Sequence, residues 1–370
     1  MGDLTERTVR VTTEELLCAA GDAAITARTL EFWRQEGLLP KACRTGQHGK
    51  RPQWTYPVEA VDQLAVLLAL REHTKQPDVL RVALWFRGFP VEAQRARSSI
   101  LATLESVLAV VGKELAKHDD RRGADGELPW SAVEHLGAVL AGKRGAKAPG
   151  RYVRQTRQER ARAMTLLLGL ALGDERAVTN LQEDEVHLRR MFGFDRARRA
   201  HPSLRGWLQG PAEQSIEGFT RLVSISSLIL AVREASEEEF ETSRLLGRAF
   251  LEGITAFSRL ADALSLIDNA LGLAAIEALQ AEPIVAVWIS ALIVAVGRSD
   301  ELDANLHAIV EALKTSVLPI AGNARELAAL TPEQLHDQLS DLAKLPFIQQ
   351  AQLTRLLASY QEEARHDTAS

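Results

Sequence analysis

Apolar positions in this chain recur mostly at intervals of three and four. The pattern is sharpest in the stretch RTLEFWRQEGLLP, residues 28–40. Leu30, Trp33 and Gly37 fall on one side of a helix, while Arg28, Glu31 and Gln35 fall on others. Thr26 is placed to cap the start, because a hydroxyl there accepts from a backbone N–H left free in the first turn. Gly37 stops the helix, and Leu38-Leu39-Pro40 follow as an apolar landing. Upstream, Thr12-Thr13-Glu14-Glu15 has the capping-box spacing and predicts a first helix from Thr12, with Leu16, Leu17, Ala19 and Ala20 as its apolar surface. Gly21-Asp22 breaks it, and two short helices joined by a tight turn make a helix-turn-helix pattern. Residues 1–10 are polar and expected to fray.

The period changes after Pro40. Glycines at 46 and 49 and a proline at 52 bracket polar residues and predict a short hairpin, with Trp54 and Tyr56 alternating as aromatics do on one strand face. Helical spacing returns from Pro57 to Thr74, with Val61, Leu64, Ala65 and Leu68 as the stripe. It returns again from Asp78 to Gly88, with Leu80, Leu84 and Trp85. Residues 91–118 read as one helix of 28 residues, about 42 Å long at 1.5 Å per residue. Along it Leu101, Leu104, Leu108, Val111 and Leu115 step by 3, 4, 3 and 4. Such a seam serves a coiled-coil dimer or packs on the rest of the same chain, and periodicity alone does not choose.

A polar, glycine-bearing linker covers 119–128, and 129–370 is helical by pattern with neither strand alternation nor a fixed-period repeat. The longest apolar run, Pro283 to Val296, has 14 residues. Spanning a bilayer needs ~20, so this run is expected to be a buried core helix and no membrane is expected as a partner. The expected fold is therefore all-α, mainly helical. An N-terminal helix-turn-helix unit with a short β-wing occupies 1–90, a connecting helix 91–118, a linker 119–128, and a large all-α domain 129–370.

Composition describes an ordinary soluble chain: 46% hydrophobic, 25% charged, with 44 basic against 49 acidic side chains for a net −5. That total hides a local excess. Between Thr26 and Trp54, Arg28, Arg34, Lys41, Arg44, Lys50 and Arg51 face only Glu31 and Glu36, a local net of +4. Cations interleaved with aromatics suit a phosphate backbone, since they displace condensed counterions while rings pack on sugars or bases. The two cysteines, Cys18 and Cys43, are the only ones, which suggests reduced thiols and a cytoplasmic setting, with no secretory signal segment at the start.

Residues 12–90 resemble a MerR-type winged helix-turn-helix DNA-binding domain. The likeness rests on RTLEFWRQEGLLP against the family's arginine-threonine-leucine, paired aromatics and glycine-leucine-leucine-proline. It rests also on the run from Tyr56 to Leu64, similar to the tyrosine and acidic helix start after the family's wing. The resemblance implies a transcriptional regulator that binds double-stranded promoter DNA as a homodimer, with the helix after the reader, and so the Leu101–Leu115 seam, as dimer contact. It implies DNA contacts from Thr26, Arg28, Phe32, Arg34, Lys41, Arg44, Lys50, Arg51, Trp54 and Tyr56. Four positions depart from the family pattern. Glu31 stands where a basic residue is usual, Phe32-Trp33 replace two tyrosines, and Trp54 sits where an arginine is common. The basic wing is thus expected to carry more of the affinity than the helix.

Other chemistry is thin. No cysteine follows residue 43, so the thiol-based metal sensing known in the family is not expected. Lys143 to Arg162 is strongly basic, a second phosphate contact or a solvated helix face. Asp184-x-x-His187 and Glu333-x-x-His336 put a carboxylate and a histidine on one helix face, as in helical di-metal sites, but lack the further glutamates these need. No phosphate-cradling loop, nucleophile elbow or zinc-protease signature occurs, so neither enzyme activity nor a cofactor is expected. A small-molecule or protein effector for 129–370 is left open. The competing readings are a winged domain diverted to protein contacts, and a helical enzyme or metalloprotein.

Overall fold

A computed structural model describes residues 10–21, 25–45, 53–116, 130–142, 157–174, 176–177, 223–263 and 282–321, with 331, 334 and 337 beyond. These residues are mostly helical, with one small antiparallel sheet of three strands. The chain opens with β1 (Arg10–Thr12), α1 (Thr13–Ala20), α2 (Ala27–Gln35), β2 (Cys43–Thr45) and β3 (Gln53–Pro57). Helices α3 (Ala60–Arg71), α4 (Pro77–Phe86) and α5 (Ala93–Ala116) follow. Beyond them lie α6 (Trp130–Gly142), α7 (Arg157–Leu172), α8 (Ile225–Glu234), α9 (Glu237–Ala263), α10 (Pro283–Gly297) and α11 (Asp300–Ala312), which runs into a π-helical turn, Leu313–Val317.

Helix α1 starts as its spacing predicts. The Thr12 hydroxyl accepts from Glu15 N at 3.2 Å, and the Glu15 carboxylate accepts from Thr12 N at 2.7 Å. The residues just before it do not fray at their end: Arg10–Thr12 pair with β3, setting Val11 opposite Tyr56. This gives the hairpin a third strand, in the order β1-β3-β2. Three strands with a buried face hold where an isolated hairpin would be marginal.

The stripe predicted for α3 is displaced. Ala65 is exposed, Val61 and Leu68 are half-buried, and the core face is Ala60, Gln63, Leu64, Leu67 and Leu70. Gln63 is a polar residue on that core side, where its amide N–H donates to Leu38 O at 3.0 Å.

Helix α4 is buried on every side, from Val79 through Phe86. One flank meets the N-terminal unit and the other meets α10 and α9, where the Trp85 and Phe240 rings stack with centroids 4.4 Å apart. A single buried cluster consequently runs from Leu16, Leu30 and Trp33 through α4 to Leu228, Phe240 and Val294. Helix α10, the predicted apolar core helix, closes it with Ala286, Val287, Ala291 and Val294. Among the described residues no single helix is long and apolar enough to cross a membrane.

The α5 seam is filled from within the chain. Leu104 is fully buried in the main cluster with Leu228 and Val232 of α8, and Leu101 and Leu108 pack against that cluster. Val111 is buried against Ala132, Val133 and Leu136 of α6. Leu115 falls on the last turn of α5. Leu101, Leu104, Leu108 and Val111 thus meet apolar residues of α8 and α6, the packing within one chain that periodicity left open beside a dimer. The linker 119–128 lies outside the described residues.

Leu104→Ala should lower unfolding stability by about 2–5 kcal/mol, the range for deleting a fully buried leucine side chain. Urea denaturation followed at two protein concentrations checks it. A loss that depended on protein concentration would return the seam to an inter-chain role.

Candidate nucleic-acid interface

The exposed surface of the N-terminal unit is built on α2. Thr26 caps it, accepting from Thr29 N at 3.2 Å, so the helix begins one residue before Arg28. Leu30 and Trp33 anchor its inner side at 0% and 2% exposure, and Arg71 lies over the Trp33 ring. Arg28 and Phe32, one turn apart and so on one face, point outward, with Phe32 49% exposed. At the other end Gly37 adopts φ +70°, Gly37 N donates to Arg34 O and Leu38 N to Trp33 O, the two reverse bonds of a Schellman cap. Only glycine takes that φ without strain.

The hairpin lies alongside. Arg44 stands directly opposite Trp54 across β2 and β3, which puts both side chains on one face. Both are exposed, and the Arg34 guanidinium sits 5.7 Å from the Trp54 ring centroid. Helix α2 and the hairpin are thus joined through a cation–ring contact. The tip, including Lys50 and Arg51, is outside the described residues.

Two of the predicted contact residues stand differently from expectation. Tyr56 is on the same strand face as Trp54 but only 2% exposed, part of the core under α2, and burial raises its phenol pKa. A ring so enclosed cannot reach a phosphate. Arg34 is not a free cation either. Its Nε donates to Glu31 Oε2 at 2.7 Å and its Nη2 to Glu31 Oε1, while Gln35 donates to the same carboxylate at 2.9 Å. The Arg34 hydrogen bonds, with a smaller help from Gln35, hold the Glu31 carboxyl at about 2. Glu31 therefore does not stand as a bare charge toward a polyanion. It is neutralised by Arg34, which is spent on holding Glu31 and Trp54. Lys41 pairs with Glu92 at 2.8 Å, with its own side chain 84% exposed, so the pair is a surface contact that costs little to open.

The sequence reading overlooked what holds the far end of α2. Arg81, from the apolar helix α4, donates from Nε to Glu36 O at 2.8 Å and from Nη2 to the Glu36 carboxylate at 3.0 Å. Its Nη1 reaches Asp78 at 2.7 Å and the Ser99 hydroxyl of α5. Arg95 of α5 donates to Gln35 O at 3.2 Å. Two guanidinium groups thus meet the last carbonyls of α2, where a helix C-terminus is negative. The available signal was Arg81 itself: a lone charge inside PDVLRVALWF must find partners if that helix is buried.

The remaining candidates add nothing here. Cys18 and Cys43 are free and exposed. Of the basic stretch, Lys143, Arg144, Lys147, Arg151 and Arg154 lie outside the described residues, as do Asp184, His187, Glu333 and His336. Among the described residues no group of histidine, cysteine or carboxylate side chains could hold a metal. No family model, no curated protein and no solved structure matches the chain.

Two outcomes follow from this geometry. Arg81→Met should cost about 3 kcal/mol by urea unfolding, the upper part of the range for hydrogen bonds to a charged group, because the Glu36 carbonyl and carboxylate lose their donor and Asp78 keeps only Ser99. Glu31 titrates near 2 in the folded chain against 4.5 ordinarily, so its stabilising contribution is complete above 4.5 and vanishes as pH falls through about 2. The Tm gap between the native chain and Glu31→Gln should accordingly close across that window, and a gap constant with pH would break the assignment.

Proposed function

We propose that the chain is a DNA-binding transcriptional regulator that engages the duplex with α2 and the β2–β3 hairpin of a winged helix-turn-helix. The observation that carries the reading is the Arg34–Trp54 contact. It joins α2 to the hairpin, and the exposed Arg28 and Phe32 of the helix and Arg44 and Trp54 of the ribbon supply cations and rings. Helix and ribbon are both shapes that a major groove admits, and a mixture of guanidinium and aromatic groups serves phosphate and base edges together. The family resemblance of residues 12–90 supports the same reading. Arg28, Arg44, Lys41 and the tip residues Lys50 and Arg51 act as phosphate contacts. Arg34 and Thr26 position the helix, and Phe32 and Trp54 pack on sugar or base. Two-fold pairing on a near-palindromic site belongs to the proposal, without the α5 seam.

A second reading is favoured by one observation. Phe32, Trp54 and Val58 are 49%, 42% and 41% exposed, an apolar content that also suits a protein partner.

Enrichment of genomic fragments on the purified chain, followed by titration of an enriched fragment at several salt concentrations, separates the two. Binding should weaken steeply with salt. The double variant Arg28→Ala, Arg44→Ala should flatten the log–log slope by about 2, since each phosphate contact contributes ~0.9. Glu31→Gln should tighten binding by releasing Arg34. Salt-insensitive binding, or none alongside capture of a protein by the same surface, would overturn the DNA reading.

A further inference from the structure

Helix α2 turns one complete face outward. Arg28, Glu31, Phe32 and Gln35 occupy the i, i+3, i+4 and i+7 positions of that face, opposite the buried Leu30 and Trp33. Contact with phosphate accounts for Arg28 there, and stacking accounts for Phe32. Neither accounts for Glu31, whose side chain is 43% exposed. A carboxylate on a face that meets a polyanion works against binding, and an exposed i, i+3 ion pair adds little stability in return.

The geometry of Glu31 is that of a preset acceptor. Arg34 holds both of its oxygens, donating from Nε to Oε2 and from Nη2 to Oε1, and Gln35 adds a third bond to Oε1. Three bonds on two oxygens fix the plane of the carboxylate, so little rotamer freedom is left to lose on binding. Each carboxylate oxygen can accept two bonds. Among the described residues Oε1 accepts from both neighbours and Oε2 from Arg34 alone, which leaves one lone pair of Oε2 open. The Arg34 hydrogen bonds hold the carboxyl at about 2, so near neutral pH the group accepts and never donates. Pairing with Arg34 cancels its charge toward phosphate while the directed lone pair remains.

An acceptor without a donor discriminates among base edges. In the major groove guanine shows two acceptors, thymine an acceptor and a methyl group, and adenine an amino group beside the N7 acceptor. Cytosine alone offers an amino group with no acceptor next to it. We propose that Glu31 reads a cytosine, with Oε2 accepting from the base N4–H in the major groove, and is a specificity-determining residue of the interface. This role rests on the DNA-binding reading above and adds to it the base that α2 selects. Arg28 supplies affinity to any sequence, and Glu31 supplies the choice among them.

The test is selection of a randomised duplex library on the full chain and on two variants. The selected duplex and its single-base-pair substitutions are then titrated at fixed salt. With the native chain one cytosine per bound copy should be selected, and replacing its base pair should weaken binding about tenfold. Glu31→Ala should erase that preference and leave those at other positions in place. Glu31→Gln should move the preference to adenine at the same position, since an amide meets N6 and N7 together. Arg34, released in both variants, raises affinity for every duplex alike, so the ratio between bases is what reports on Glu31. A switched preference is a gain that misfolding cannot mimic. Salt-sensitive binding without a selected cytosine, or with the same base preferences in the native chain and both variants, would overturn the cytosine assignment and leave the DNA reading standing. Absence of salt-sensitive binding by the native chain would overturn both.

Discussion

One buried cation sets the geometry of this molecule's N-terminal half. Arg81 lies in a helix enclosed on all sides, where a charge without partners would cost several kcal/mol. It is satisfied only if Glu36 at the end of α2, Asp78 one turn before it and Ser99 of α5 converge on it together. That requirement fixes the distance between three helices at once, which apolar packing, being non-directional, would leave softer. The Schellman turn at Gly37 delivers Glu36 to this point, and Arg95 takes the neighbouring carbonyl. The pitch at which α2 presents Arg28 and Phe32 is therefore set from inside.

The same helix links the exposed surface to the rest of the chain. On one flank α4 carries the Arg81 cluster, and on the other Trp85 stacks on Phe240 of α9. The buried cluster is continuous across it, so the N-terminal unit is not a bead on a linker. Close-packed interiors shift between discrete arrangements rather than yielding gradually. A displacement of α9 or α10 relative to α4 would accordingly be felt at the end of α2.

The residues of α1 and α2 were readable one at a time. Thr12 with Glu15, Thr26, Leu30, Trp33 and Gly37 each act locally, through caps and spacing that need no distant partner, and they occupy the predicted places. The hairpin was legible from its glycines and proline, but its third strand was not, because a run of three residues becomes a strand only when an edge is there to pair with. Tyr56 and Trp54 shared the predicted strand face, yet one is enclosed and the other open. Alternation says which side a residue faces, not how far the covering helix extends. Glu31 read as a repulsive charge because its neutralisation by Arg34 depends on rotamers that the i, i+3 spacing permits without requiring.

The α5 seam shows the limit most clearly. Its heptad spacing determined that Leu101, Leu104, Leu108 and Val111 would be buried, and they are buried or half-buried. Whether a second copy or the same chain buries them is invisible to periodicity, since water is excluded equally well by either. Sequence alone thus determined the helices, their caps, the apolar faces and the local excess of positive charge, all properties of neighbours along the chain. Tertiary structure decided what those faces meet, which cations remain exposed, and where a buried arginine must find its carboxylates. Partners for charge and apolar area are chosen in space, among residues that sequence distance does not relate.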